Sequence, residues 1–369
     1  MLVPSDFPYT TPTGAVYDSG DYGRALEAVL ALGDYDALRK EQAERRNRGD
    51  AVVVGVGLST FVEISGSGWE FGGVTVDPDG SIVVVTGASP HGQGLVTALS
   101  QVVGGVLGVD PDEVRVVHSD TGVVPRGIGT FGSRSGQLAG NAAFAAARAV
   151  VDQAREVASG LLEAAPADVV VVDGGVAVAG VPTSALTWAQ VAAAAPEGRL
   201  RAEGDFTQEQ GTYPFGAHLA VVEVDTETGR VLLRRLVAVD DCGTVINPTI
   251  VEGQVHGGLA QGIAQALFEE VRYDEWGNPL TATFADYGVP SAAELPSFEL
   301  GSTETPSPLN PLGLKGVGES GTVGSAAAVQ NAVIDALRPF GVRHVDMPLS
   351  AERVWRAIHD RAPASPDRP

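Results

Sequence analysis

Twice along this chain a long apolar hairpin runs into a helix rich in small residues, and this recurrence limits the possible folds more than any other feature. AVVVGVGLSTFVEI, from Ala51, reads as a strand, and GVTVDPDGSIVVVTG as a hairpin turning at Asp77-Pro78-Asp79-Gly80. A helix over 95–107, the strand VRVVHSD and a second, Ala-rich helix over about 137–162 follow. The hairpin VVVVDGGVAVAG and a short helix near Trp188 close this stretch. From Gly211 the pattern restarts: HLAVVEVDTETGRVLLRRLVAVDDCG turns at 226–229, and a helix near 251–270 comes next. Strands around VRYDEWGNPL, a Pro-rich stretch (PSPLNPLG) and a helix over about 325–337 complete it. Hairpins placed before helices predict an α+β fold, with two subdomains of mixed and antiparallel sheet and packed helices, rather than a doubly wound parallel sheet. The expected subdomains are residues 51–205 and 206–360, although no residue-level repeat relates them.

The two ends read differently. Residues 1–50 form a Pro-, Thr- and Gly-rich arm and then a helix over 21–47, with Leu26, Val29, Leu30 and Leu38 at its apolar positions. With no core of its own, this segment is expected to pack on a partner polypeptide. Residues 361–369 (RAPASPDRP) read as a disordered tail. A formal charge of −22, from 46 acidic and 24 basic residues, leaves no basic patch for nucleic acid or an anionic membrane. The single cysteine, Cys242, excludes an internal disulfide framework and a multi-cysteine zinc site, and fits a reducing cytoplasm. No secretory leader and no unbroken apolar run of about 18 residues is seen, so a cytoplasmic chain without a membrane span is expected.

The chain has 47 glycines, and many fall in four polar segments between strands and helices, where backbone N–H groups can meet an anion. Ser89-Pro90-His91-Gly92-Gln93-Gly94 opens a helix, and Gln93 brings both a donor and an acceptor; a plain strand–helix turn would read the same way. Residues 127–136 (GIGTFGSRSG) set Ser133, Arg134 and Ser135 among glycines before the long helix. They make a phosphate cradle with Arg134 as its cation, or a loop in which Ser135 is only a helix N-cap. Residues 251–262 (VEGQVHGGLAQG) form a helix with Gln254 and Gln261 close in angle. Close backbone packing of its small face is the plainer reading, and His256 reads as a satisfied polar residue, not a metal ligand. Residues 315–322 (KGVGESGT) match G-x-G-x-x-G. The prolines of TPSPLNPLGLK argue against the central strand a dinucleotide turn needs, and Glu319 would oppose a pyrophosphate. A carboxylate there suits proton abstraction, or only completes the electrostatics of a helix start. Cys242, beside Asp240 and Asp241, is poorly placed to ionise and reads as structural.

In this order, SPHGQG, GTFGSRSGQLAGNA, DDCGTVINPTIVEGQVHGGLAQGIAQALFEE and KGVGESGTVGSAAAVQNAVIDAL resemble the large-subunit family of xanthine, aldehyde and carbon monoxide dehydrogenases. FPYTTPTGAVYDSGDY makes the carbon monoxide dehydrogenase-like branch the nearest. The resemblance covers nearly the whole chain and is to the C-terminal half of that subunit, its second molybdopterin-binding domain. It implies a molybdenum-dependent oxidoreductase acting on a small carbon substrate, an aldehyde, an N-heterocycle or a CO-like molecule. The cofactor implied is molybdopterin with molybdenum, as the cytosine dinucleotide. By the same resemblance His91, Gly92, Gln93 and Gly94 contact molybdopterin near the metal, and Gly132, Ser133, Arg134 and Ser135 form the loop on its phosphate side. Gln254 contacts the pterin, and Glu319, with Gly318 beside it, is the general base that deprotonates a hydroxyl on molybdenum. No residue here is expected to ligate the metal. Implied partners are a separate chain carrying the N-terminal half of the large subunit, an iron–sulfur small subunit and an FAD-binding medium subunit. The copper-binding cysteine of true carbon monoxide dehydrogenases belongs to that other half, and Cys242 is not its equivalent. The alternatives are a non-catalytic orphan or assembly half-domain and an unrelated anion-binding enzyme; the order of the motifs argues against the latter.

Overall fold

The computed structural model describes residues 1–360; the tail expected over 361–369 lies outside the described residues. The arm carries a small hairpin, β1 (Tyr9–Thr10) with β2 (Val16–Tyr17). Two helices then stand where one was expected. α1 (Tyr22–Leu32) starts on the Asp21 side chain, which accepts from the Arg24 amide, and ends at Gly33. Asp34 takes a φ of 51° before α2 (Tyr35–Arg48). The break falls where the chain is pressed onto a strand: a Cβ at Gly33 would come within 3.2 Å of the Leu219 side chain.

Residues 1–50, expected to pack on another polypeptide, also lie against the chain's own sheet. Ala25, Val29 and Leu38 are buried against Val54, Phe215, Leu219 and Val237 of the chain's own sheet. Tyr17 packs on Tyr213 and Tyr22 on Phe215, with ring centroids 4.6 and 4.7 Å apart. The apolar stripe of α1 found a partner surface within the same chain, a long-range contact that its own periodicity does not encode.

After β3 (Val52–Val62), β4 (Gly68–Val76) and β5 (Ile82–Thr86) form the first hairpin, with Gly80 at a φ of 89° donating its amide to Asp77 O. α3 (Leu95–Leu107) crosses to β6 (Val114–Val117), which runs parallel to β5, as such a pairing requires. α4 (Ser135–Leu162) then packs back across the sheet. β7 (Val169–Val172), β8 (Gly175–Val178) and β9 (Val181–Thr187) make a separate antiparallel sheet, and α5 (Trp188–Ala194) leads to β10 (Leu200–Gln208). The second pass repeats the first. β11 (Phe215–Asp225) and β12 (Val231–Asp241) form a hairpin, followed by α6 (Pro248–Leu267), the short α7 (Phe284–Tyr287) and β13 (Glu299–Thr303), parallel to β12. α8 (Ser320–Leu337) packs back across that sheet, and α9 (Ala351–His359) ends the described chain. The strands expected around VRYDEWGNPL reduce to one bridge between Tyr273 and Pro279. There Asp274 accepts from the Trp276 and Asn278 amides and closes a tight turn instead.

The two four-stranded sheets share one order, β10-β4-β5-β6 and β3-β11-β12-β13, and each has borrowed its edge strand. β3, which precedes the first hairpin, pairs with β11 of the second; β10, which precedes the second, pairs with β4 of the first. Residues 52–62 therefore leave the 51–205 stretch they were read with and complete the other sheet. One core lies under α3 and α4 (Val74, Val84, Leu99, Val150) and another under α6 and α8 (Ala220, Leu236, Leu259, Val329). No helix among the described residues is long and apolar enough to cross a membrane.

Candidate active site

The matching architecture brings the starts of the four helices α3, α4, α6 and α8 to one cleft of about 660 Å³. His91, Gly92 and Gln93 border it from α3, Gly132, Ser133, Arg134 and Ser135 from α4, Gln254 from α6, and Gly318 and Glu319 from α8. Gly94 alone of the expected residues is set back. It is the N-cap of α3, at a φ of 73°, and the Ile250 side chain stands 2.6 Å from where its Cβ would be. Helix starts present unpaired N–H groups and a partial positive charge. The N-caps of α3, α4 and α8 make no side-chain capping hydrogen bond, whereas Asn247 caps α6 by accepting from the Ile250 amide. At Gly92, Gly132 and Gly136 a Cβ would meet nothing within 4 Å. These glycines face open space, so internal packing does not require them.

Arg134, expected as the cation of a phosphate cradle, has most of its guanidinium turned inward. Its guanidinium is buried, pairs with Glu70 at 3.0 Å, donates to Gly129 O at 2.6 Å and to Trp69 O, and lies 5.1 Å from the Phe131 ring centre. A buried carboxylate takes the charge inward, since leaving either ion unpaired there would be costly. The Lys315 ammonium is likewise committed, to Thr305 Oγ1 at 3.0 Å, Ser19 O at 3.2 Å and Asp241 at 3.6 Å. Burial pushes its pKa down, against the pull of Asp241. Gln93 folds onto its own loop, accepting from the His91 amide and donating to Ser89 O at 3.4 Å. Cys242 lines the cleft from a buried position, its thiol pushed up to about 12 by burial and then by Asp241 and Asp240. This fits the structural reading of the cysteine.

Glu319 is exposed at the start of α8. Ser133 Oγ lies 2.7 Å from its Oε2 and 3.1 Å from its amide, which ties the loop before α4 to the loop before α8. Ser133 reaches this position with a left-handed φ of 53°, uncommon for a residue with a side chain. A Cβ on Gly318 would stand 3.3 Å from Ser133 Oγ and 3.7 Å from Gln254 Oε1, so these groups are gathered around one point.

The model of the molybdopterin cofactor-binding domain matches residues 28–296. The chain belongs to that family. It is 40% identical over 374 residues to the carbon monoxide dehydrogenase large chain of Hydrogenophaga pseudoflava, an alignment covering 96% of this chain and 47% of that one. To the nicotine 6-hydroxylase large subunit of Paenarthrobacter nicotinovorans it is 37% identical, over 95% of this chain and 46% of that one. Among solved structures, the Cu,Mo-CO dehydrogenase in its carbon monoxide reduced state superposes with a TM-score of 0.92 at 37% identity, over 97% of this chain and 49% of that one. The chain thus spans about half the length of the curated relatives it matches.

The residues present fit the family's cofactor. A phosphate-bearing group is well served by uncapped helix starts and by glycines that leave room for close approach. Two acids of this site escaped the sequence reading. Glu70 sits in the interior of β4, where its carboxylate accepts from Ile128, Gly129 and Arg134 at 3.0 to 3.3 Å and shapes the loop before α4. The signal was legible: a charge in the middle of GWEFGG demands a buried partner. Glu63, just after β3, lies within 3.4 Å of Ser133 Oγ and 3.2 Å of Ser320 Oγ. Nothing local in TFVEI points to it, because its partners come from the starts of two distant helices.

Proposed function

We propose that this chain is the second molybdopterin-binding part of a molybdenum hydroxylase large subunit, holding the cofactor as its cytosine dinucleotide. One observation carries the reading: uncapped helix starts converge on a glycine-lined cleft that has one exposed carboxylate, Glu319, fixed at its rim. Backbone amides about Gly92, Gly132 and Ser133 would hold the anionic parts of the cofactor, and Gln254 would hydrogen-bond its pterin. When bound, that group supplies two-electron oxidation and reduction. The chain's own share is acid–base. Ser133 orients Glu319 Oε2 to accept the proton that an oxygen nucleophile releases as it attacks a small, electron-poor carbon substrate. The relatives' names span carbon monoxide and nicotine, which supports assigning substrate choice to parts of the enzyme outside this cleft. The remaining half of the large subunit and cytoplasmic iron–sulfur and FAD subunits are the partners this reading requires.

The test is the molybdenum content of the tagged chain, isolated gently from its own host with whatever accompanies it. Near-stoichiometric metal, with cytidine monophosphate released on acid hydrolysis, is the expected result. A folded, metal-free preparation from molybdate-replete cells would favour the non-catalytic half-domain. In a loaded complex, Glu319→Gln should cut turnover by at least about 10²–10⁴-fold with metal content unchanged; a parallel loss of molybdenum would move Glu319 from chemistry to cofactor binding.

A further inference from the structure

Ser133 Oγ stands among three polar atoms: Glu319 Oε2 at 2.7 Å, the Glu319 amide at 3.1 Å and Glu63 Oε1 at 3.4 Å. A hydroxyl has one proton to donate and two lone pairs that accept. The amide can only donate, so it occupies a lone pair. The shortest contact takes the hydroxyl proton to Glu319 Oε2. A bond between Ser133 Oγ and Glu63 Oε1, which lie 3.4 Å apart, then needs Glu63 as its donor and a proton on the Glu63 carboxyl. Glu63 Oε2 accepts from Ser320 Oγ at 3.2 Å, which leaves Oε1 as the oxygen that would carry the proton. We propose that Glu63 is a positioning residue that keeps a proton, donates it to Ser133 Oγ, and through that hydroxyl holds the Glu319 carboxylate in place at the cleft.

The surroundings support a protonated Glu63. Burial first, and then the charge of Glu319, raise its carboxyl to about 7, with Asp240 of β12 adding to the rise and the Ser320 hydroxyl offsetting part of it. Asp240 is itself paired with His218 of β11 at 3.0 Å. The strand exchange puts the acid there: Glu63 continues β3 past its last residue, and its amide donates to Pro214 O at 2.9 Å, at the entry to β11. The relay belongs to this chain alone. Only the part Glu319 plays in chemistry rests on the molybdenum-hydroxylase reading.

The experiment is a pH titration of the full chain by carbon NMR, with glutamate labelled at its carboxyl carbon. The expected result is one resonance with a midpoint of about 7 that is absent from Glu63→Gln. The Glu319 resonance, assigned with Glu319→Gln, should show a step at that same midpoint, reduced in Ser133→Ala to the part carried by direct charge interaction between the two carboxylates. A Glu63 resonance titrating in the ordinary carboxylate range overturns the proposal, as does a Glu319 resonance that ignores the Glu63 step. Stability gives a second reading. Folded Glu63 keeps its proton to about 7, against an ordinary value of 4.5, so the folded chain binds more protons than the unfolded chain between those values. Its contribution is full below that window and is lost as pH rises through it. Glutamine offers the same donor and acceptor as the neutral acid. Glu63→Gln should therefore fold, and its urea midpoint should gain on that of the natural chain as pH rises from about 5 to 7. A constant offset, or failure to fold, contradicts a neutral Glu63. Molybdenum content decides the functional reading separately, because the chain gives or withholds the step near 7 whether or not it carries cofactor.

Discussion

Arg134 and Glu70 form the ion pair on which the loop before α4 is built, with side chains 2% and 0% exposed. At that depth, removing one partner strands the other charge, at a cost of about 3–5 kcal/mol, whereas replacing both with apolar residues can be close to neutral. Arg134→Ala should therefore lower urea stability by that order even in cofactor-free protein. A double change, Glu70→Gln with Arg134→Met, should recover most of the loss. An Arg134→Ala chain of unaltered stability that merely binds cofactor less well would restore the phosphate-contact reading. A charged residue among glycines before a helix is visible in the sequence, and so is a lone acid in an apolar strand. That the two neutralise each other is not visible, because each alone is equally consistent with an external ligand.

At the scale of the elements, glycines divide into those that let backbones touch and those that face the cleft. α8 lies directly on β3: a Cβ at Gly57 would fall 2.2 Å from Ala328 O and from the Ala332 amide, and one at Gly55 would fall 1.9 Å from Ala332 O. α6 meets α8 in the same way, with Gly258 against Gly321 and Gly262 against Ser325. The plainer reading of the small face of α6, close backbone packing, holds for Gly258 and Gly262. Gly57→Ala should cost about 1–3 kcal/mol by overpacking and shift the start of α8, which carries Glu319. Gly136→Ala has open space at the first turn of α4, and should stabilise the cofactor-free chain by up to about 1 kcal/mol while weakening molybdenum retention. Thermal melts and metal analysis on the two variants separate the classes; equal effects on both would erase the distinction. The sequence shows a glycine without showing what stands beside it, so this division could not be read in advance.

For the whole molecule, the exchange of β3 and β10 is the dominant constraint. Each hairpin is completed by the strand that precedes the other one, so the second four-stranded sheet cannot form without β3, and residues 206 onward have no finished sheet of their own. The chain should unfold in one transition by far-ultraviolet circular dichroism and by tryptophan fluorescence alike. A fragment of residues 206–369, lacking β3, should fail to fold, because β11 would lose its neighbour and α8 the surface it rests on. A fragment with native-like dispersion in NMR would show that the exchange is dispensable. By itself the sequence determined the α+β class, the first hairpin turn, the places of the long helices and the four glycine-rich segments around the site. These follow from periodicities and turn chemistry that act over a few residues. Only the tertiary structure decided which strand completes which sheet, that the arm folds back on its own chain, that Arg134 is spent on Glu70, and that Glu63 stands behind Glu319. Each of those depends on contacts between residues far apart in the chain, and a local pattern is the same whichever distant partner it meets.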